Sequence, residues 1–198
     1  MKITKELLKE KGACVDGYRA FLEEYPEKKF PDGVEYQELL DVCAEKNWEY
    51  GVWLLNKFGP TNEIREIEGD LIVEKSIIFA GQIKVSGYIE AGGGIKAGGK
   101  IKAGLGIKAG GGIEAGEEIE AGEGIKAGWR IKAGGGIEAG EEIEAGLGIK
   151  AGEEIEAGEG FGIYAGICCK ITDHKFRKII AAERPKNIMC GEFEEKKA

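Results

Sequence analysis

A six-residue repeat constrains the fold of this chain more than any other feature. An isoleucine stands at every sixth position from Ile89 through Ile155, and in all twelve units it is followed by Glu or Lys, then Ala, then Gly. A repeat this short and regular is typical of a stacked array, in which each unit buries its apolar side chains against its neighbours. The pattern therefore predicts a mainly β fold, a parallel β-solenoid built from the hexapeptide I-[EK]-A-G-x-x.

The repeat also indicates which side chains face the interior. Alternate side chains of an extended segment point to opposite sides, so we expect Ile and Ala to point inward and the charged residue between them to point outward. The glycine is expected to supply the backbone freedom of a sharp corner.

Two coil lengths are compatible with the repeat, twelve residues (two units) and eighteen residues (three units). Opposite charges on stacked strands attract each other, and like charges repel. At a spacing of twelve, eight neighbouring pairs of outward charges are opposite and three are alike, whereas at eighteen the two kinds are equally frequent. This pattern favours twelve residues per coil, with eighteen as the alternative.

The remainder of the chain differs in its periodicity. Residues 1–60 carry apolar side chains at helical spacing in four stretches, which predicts a small α-helical domain. Residues 61–70 are polar and predict a linker, 71–166 carry the solenoid, and 167–198 alternate apolar and polar residues as expected of a C-terminal β cap or tail.

The composition excludes several classes of protein. The 34 glycines among 198 residues do not recur at every third position, which excludes collagen. The net charge of −8 argues against nucleic acid as a partner. No stretch reaches the roughly 18 apolar residues of a membrane span, and the first residues lack the apolar core of a signal peptide. We therefore expect a cytoplasmic protein, and the five cysteines, including Cys168 and Cys169, show no CxxC spacing that would indicate a zinc site.

The sequence offers little to support catalysis. Hexapeptide acyltransferases also form short-repeat solenoids, but they use a histidine as general base, and the only histidine of this chain is His174 in the tail. No nucleophile stands beside a base, and no GK[ST] follows the glycine-rich stretches. We expect no enzyme activity, no cofactor and no metal ion.

Paired carboxylates at the corners are the candidate binding residues. In a coil of twelve residues the pairs would fall on one edge, with a Trp-Arg step between two of them. Carboxylates exceed basic residues within 89–160, so this edge is either a solvated surface that keeps the rod in solution or an acidic docking ridge for a basic protein surface. The candidate partner-binding residues are Glu117, Glu118, Glu141, Glu142, Glu153, Glu154, Trp129 and Arg130.

Two resemblances rest on particular segments. The rod of short aliphatic repeats resembles the bactofilins, bacterial cytoskeletal β-helices that polymerise end to end. The combination of KGAC at 11–14, WEYGVWLL at 48–55, the IxAG rod and PKNIMCGEF at 185–193 resembles a set of small uncharacterised bacteriophage proteins. The second resemblance implies a phage product that acts in the host bacterial cytoplasm.

These observations lead to two functional hypotheses. The first is a non-enzymatic interaction module, encoded by a phage, which binds and inhibits a bacterial host protein such as a nucleic-acid-binding or defence protein through its rigid acidic rod. The alternative is a structural, self-assembling β-helix protein that forms polymers, or a homodimer through its C-terminal end.

Overall fold

The computed structural model describes residues 1–167 and 174–196, and of Lys175 only the backbone. The chain divides into two compact units, Met1–Gly59 and Pro60–Ala198, which we call the helical unit and the solenoid. Cys168 and Cys169 lie outside the described residues.

The helical unit contains the predicted four helices and a small sheet that the sequence did not indicate. The helices are α1 (Lys5–Glu10), α2 (Val15–Glu24), α3 (Tyr36–Lys46) and α4 (Trp48–Phe58). Strands β1 (Lys2–Ile3) and β2 (Val34–Glu35) pair in antiparallel fashion. Helix α1 packs against α2, and α3 packs against α4.

Local signals define where these helices begin and end. The Thr4 hydroxyl accepts a hydrogen bond from the backbone of α1, and the Asn47 side chain does the same for α4, as N-cap residues typically do. Helix α4 ends at Gly59, whose φ of 81° suits a residue without a Cβ. The Tyr36 hydroxyl donates to the carbonyls of Leu54 and Gly59 and so ties α3 to the end of α4.

The solenoid is built from short parallel strands. In its N-terminal half they are β3 (Ile64–Ile67), β4 (Leu71–Val73), β5 (Ile77–Phe79), β6 (Gln82–Val85), β7 (Ile89–Ala91), β8 (Ile95–Ala97), β9 (Ile101–Ala103), β10 (Ile107–Ala109), β11 (Ile113–Ala115) and β12 (Ile119–Ala121). The remaining strands are β13 (Ile125–Ala127), β14 (Ile131–Ala133), β15 (Ile137–Ala139), β16 (Ile143–Ala145), β17 (Ile149–Lys150), β18 (Ile155–Glu156), β19 (Ile163–Ala165), β20 (Lys178–Ala181), β21 (Ile188–Cys190) and β22 (Glu192–Glu195). Strand β3 lies inside the segment 61–70 that was predicted as a linker.

Three sheets form the sides of the solenoid; each of the first six coils contributes one strand to each of them, and β21 and β22 extend two of the three. Face 1 contains β3, β6, β9, β12, β15 and β18; face 2 contains β4, β7, β10, β13, β16, β19 and β21; face 3 contains β5, β8, β11, β14, β17, β20 and β22. The inward isoleucines and alanines of all three faces form one buried core. The predicted β-solenoid is confirmed.

The coil length is eighteen residues, so the favoured value of twelve is wrong and the alternative is right. Ile101 pairs with Ile119, and Ile119 pairs with Ile137. Reversing the chain direction within two residues requires positive φ angles, and no repeat glycine between Gly81 and Gly158 has one. Each corner therefore bends less than a hairpin, and three corners are needed to close a coil.

The charge pattern gave the wrong coil length because interactions between exposed charges contribute too little free energy to determine it. In the actual register Lys102 stacks on Glu120, but Lys108 stacks on Lys126. Exposed ion pairs contribute about 0–1 kcal/mol each, whereas the backbone geometry of the corner acts in every unit of the repeat.

The glycine after each alanine is required by close approach between coils, not by its own dihedral angles. A Cβ built on Gly134 would overlap the carbonyl oxygen of Gly116 in the preceding coil, and the same overlap recurs at Gly116 and Gly152. The backbone amide of Gly134 donates to the carbonyl of Ala115 at 3.2 Å. Within the I-[EK]-A-G-x-x repeat, the coils approach this closely because the position has no side chain.

The C-terminal segment continues the solenoid after one irregularity. Ile163 pairs with Ile143, twenty residues earlier, so the corner before it holds two extra residues and includes Gly160 with a φ of 85°. Strands β20, β21 and β22 then extend faces 2 and 3 as parallel strands. The described tail residues therefore add to the existing sheets.

Glycine-to-alanine substitutions within one corner provide a test of the close approach. Gly134→Ala should lower the free energy of unfolding by roughly 1–3 kcal/mol, because the Cβ would push two backbones apart. The matched control is Gly136→Ala, whose Cβ would meet only Glu154 at 3.7 Å or more. Chemical denaturation of both variants should show a large loss for the first and a change below about 1 kcal/mol for the second. Equal losses would show that the inter-coil contact is not what selects glycine.

Engineered cysteines can test the coil length directly. In a background with the native cysteines replaced by serine, Lys102→Cys with Glu120→Cys should form a disulfide on oxidation, because these positions are register partners. Lys102→Cys with Glu114→Cys should not, since Glu114 pairs on a different face. Gel mobility under non-reducing conditions distinguishes the two, and cross-linking of the second pair alone would restore the twelve-residue coil.

Candidate functional site

The outer surface of the solenoid consists of three faces and the three edges at which they meet. We name each edge by the two faces that it joins. The corners that come after the strands of face 3 in the chain form edge 3/1, those after face 1 form edge 1/2, and those after face 2 form edge 2/3. An eighteen-residue period places every third corner of the chain on the same edge.

The candidate residues do not form one ridge. Edge 3/1 carries Glu117, Glu118, Glu153 and Glu154; edge 1/2 carries Glu141 and Glu142; edge 2/3 carries Trp129 and Arg130. The two pairs on edge 3/1 are two coils apart, with Gly135 and Gly136 between them. The predicted single edge was wrong because it assumed twelve residues per coil.

A ladder of like charges on face 1 was not predicted. Glu120 lies directly beside Glu138, and Glu138 directly beside Glu156, on the adjacent strands β12, β15 and β18. With a period of twelve, Glu138 would instead have been placed between two lysines. Only the eighteen-residue spacing could have revealed this ladder.

The ladder and edge 3/1 together enclose a shallow depression of about 120 Å³. We call its six carboxylates the acidic patch: Glu118, Glu120, Glu138, Glu153, Glu154 and Glu156. Gly136 lies in the depression and leaves space where another residue would place a side chain. The edge pairs Glu117-Glu118 and Glu153-Glu154 were predicted as binding residues, so the structure brings part of the candidate set together with the ladder.

Lysines neutralise one end of the acidic patch. The Lys100 ammonium donates to Glu118 at 2.7 Å and also to Glu120, and Lys102 donates to Glu120 at 2.7 Å. Burial alone would raise the pKa of Glu120, but these hydrogen bonds and the nearby positive charges hold that pKa below its usual value.

The other end of the acidic patch has no such compensation. Among the described residues, Glu138, Glu153, Glu154 and Glu156 make no ion pair. All four are exposed. Four anionic groups therefore meet solvent at the C-terminal end of face 1.

Within the I-[EK]-A-G-x-x repeat, the outward carboxylates on the strands of faces 2 and 3 are paired with lysines of neighbouring coils. Glu114 on face 3 lies between Lys96 at 2.9 Å and Lys132 at 2.7 Å. Burial would raise the pKa of Glu114, but hydrogen bonds from these two lysines and their charges lower it instead. On face 2, Lys108 donates to Glu90 at 2.8 Å. On the strands of faces 2 and 3, lysine partners are thus present for Glu90, Glu114 and Glu144. The ladder residues Glu138 and Glu156 lack such partners within the described part of the chain.

The remaining chemistry of the described surface is limited. His174 is exposed, and its Nδ1 contacts the carboxylate of Glu192. Within 1–167 and 174–196, no group of three or more His, Cys, Asp or Glu side chains is arranged to hold a metal ion. No helix in these same ranges has the length and apolarity needed to cross a membrane. What the acidic patch can do chemically is accept hydrogen bonds from cationic groups.

Comparison with known proteins bears on the helical unit alone. A family model described as the YdhT N-terminal domain matches residues 1–58, which correspond to the helical unit. No curated protein and no solved structure matches the chain.

Two glutamate substitutions should have opposite effects on stability. Glu138→Gln removes repulsion from Glu120 and Glu156 and should raise the free energy of unfolding by a few tenths to about 1 kcal/mol. Glu114→Gln removes partners from two lysines and should lower it by a similar amount. Both effects are read from urea denaturation at pH 7, and destabilisation by Glu138→Gln would contradict the account of the ladder.

The pH dependence follows from the lowered pKa of Glu114. A carboxylate whose pKa is depressed in the folded state stabilises that state above the pKa of the unfolded chain, and the contribution is lost as the pH falls below about 4.5. The stability of the Glu114→Gln variant should therefore fall less steeply between about pH 5 and pH 3 than that of the parent chain. Urea midpoints measured across this range provide the comparison.

Proposed function

We propose that this chain is a non-enzymatic interaction module that binds a basic protein surface through the acidic patch. The observation that carries the proposal is the set of four exposed carboxylates without ion-pair partners, Glu138, Glu153, Glu154 and Glu156, on and beside a single face. Lysine or arginine side chains of a partner would supply the counter-charges that the chain itself supplies elsewhere.

The rigidity of the scaffold favours such a role. Glu138 and Glu156 extend from strands whose isoleucines are buried in a continuous core, so the backbone that carries them is fixed before binding. A preformed arrangement of charges loses little conformational entropy on association. A cationic partner would also relieve the repulsion between the glutamates of the ladder. This relief adds to the free energy of binding.

In its concrete form, the proposal is that a phage-encoded protein inhibits a bacterial host or defence protein in the cytoplasm of the host. A row of carboxylates repeating at about 4.8 Å along the coils offers a regular anionic surface to a site that normally binds nucleic acid. The resemblance of the rod and its flanking segments to small phage proteins supports the same reading. Complex formation should weaken as salt screens the charges.

The second candidate function is self-assembly into a dimer or polymer through the C-terminal end. It is favoured by the outer side of β18, on which no strand pairs within residues 1–167 and 174–196, because an open strand edge can pair with another chain. Met189 in β21 is also 68% exposed. Polymerisation would appear as light scattering that grows with protein concentration.

Two triple variants with the same change in charge test the first candidate. The patch variant carries Glu138→Gln, Glu154→Gln and Glu156→Gln, and the control variant carries Glu141→Gln, Glu142→Gln and Glu159→Gln on edge 1/2. A partner captured from bacterial lysate by the parent chain is identified and purified, and its affinity for each variant is measured by calorimetry at two salt concentrations.

We expect the patch variant to lose at least about tenfold in affinity, as the loss of charge-assisted contacts implies, while the control variant stays within about threefold. Equal affinities for the two variants would contradict the role of the acidic patch. Scattering that grows with concentration, together with no captured partner, would favour self-assembly instead.

A further inference from the structure

The helical unit contains a cavity that the acidic patch does not explain. It has a volume of about 600 Å³ and is bounded by the α1–α2 pair on one side and the α3–α4 pair on the other. Small-molecule sites usually measure about 300–1,000 Å³. The cavity therefore has the size of a ligand site within a domain of fewer than 60 residues.

Apolar side chains form most of the cavity wall. Leu8, Phe21, Leu39 and Leu54 line it and are buried, and the half-buried Trp53 completes an aromatic side. Such a wall favours a ligand with an aromatic or aliphatic body, because burial of apolar surface is the main favourable contribution to its binding.

Two residues of low exposure that can donate hydrogen bonds line the same cavity. Tyr25 is 5% exposed and Cys43 is 8% exposed. Neither the Tyr25 hydroxyl nor the Cys43 thiol makes a side-chain hydrogen bond within the described part of the chain. The Tyr25 hydroxyl is therefore free to donate a hydrogen bond to a molecule in the cavity, as the polar groups of ligand sites do.

The electrostatic environment of the cavity determines the charge of the ligands that can bind. Burial, followed by the charges of Glu38 and Glu24, raises the pKa of Tyr25 to about 12, and burial raises the pKa of Cys43 to about 11. Both groups are therefore protonated donors at neutral pH. At the rim Glu24 forms an ion pair with Lys46, from α2 to α3, which leaves no free cation there to attract an anion.

We infer that this cavity is a binding site for a small uncharged molecule with an apolar, aromatic-sized body and one hydrogen-bond acceptor, which the Tyr25 hydroxyl would bind. The Cys43 thiol, close to Tyr25, is a second and weaker donor. This inference does not depend on the acidic patch or on the proposed function of the solenoid.

The neutral fluorescent ketone prodan is a suitable probe for the full-length chain, because it combines a naphthalene body with a single carbonyl acceptor. We expect saturable binding with one site and a blue shift of the emission. The anionic dye anilinonaphthalene sulfonate, of similar size, should bind at least about tenfold more weakly because the neighbouring carboxylates repel it.

Two matched pairs of variants locate the site. Tyr25→Phe should weaken prodan binding about three- to tenfold by removing one hydrogen bond, whereas Tyr18→Phe, in helix α2 but outside the cavity, should not. Val42→Phe should block binding by filling the cavity, whereas Val52→Phe, which does not line it, should leave binding unchanged. Circular dichroism checks that each variant retains its helices.

Several outcomes would overturn the inference. It fails if prodan does not bind, if Val42→Phe and Tyr25→Phe bind as tightly as the parent chain, or if the sulfonate dye binds equally well. A further contradicting outcome is loss of prodan binding at high protein concentration together with a dimer in sedimentation. The cavity would then be occupied by a second copy of the chain.

Discussion

The fold of the solenoid depends on one contact, the approach of a backbone carbonyl to the glycine one coil further along the chain. Gly134 over Gly116 and Gly152 over Gly134 are examples. This approach allows the strands to pair in register and places each buried isoleucine beside its equivalent in the next coil. Within the regular repeat, a stability that comes from neighbouring units thus depends on a glycine at one position in six.

The same register determines how charge is distributed on the surface. Because residues eighteen apart become neighbours, the outward residues pair as Lys with Glu at Lys102 and Glu120 and clash as Glu with Glu at Glu138 and Glu156. The backbone contact fixes the register, and the register then determines which outward charges become neighbours. A surface cluster of like charge can persist at a cost of a few tenths of a kcal/mol per pair, which the buried core easily offsets.

The sequence was sufficient to predict the solenoid and the four helices but not the grouping of the surface residues. The Ile-x-Ala-Gly pattern identifies the inward side chains, because burial acts on each unit in the same way. The number of units per coil depends on how far each corner bends, and the exposed charges that were used to infer it contribute little energy. The error moved Glu141 and Trp129 onto the wrong edge and concealed the ladder at Glu138. The cavity beside Tyr25 had no signal in the sequence, since it arises from how two helix pairs meet.

The three-sided coil also affects how such a chain can change in length. The segment GGGIEAGEEIEAG occurs twice, starting at Gly110 and Gly134, and this offset of twenty-four residues equals one full coil plus one unit. A copied segment therefore appears one coil further on and on the adjacent side, as the shift from Glu117 to Glu141 shows. Duplications of eighteen residues would lengthen an existing patch, whereas those of six or twenty-four would rotate everything that follows by one third of a turn. Growth of the repeat can thereby move a surface patch to another side of the rod without altering any residue within it.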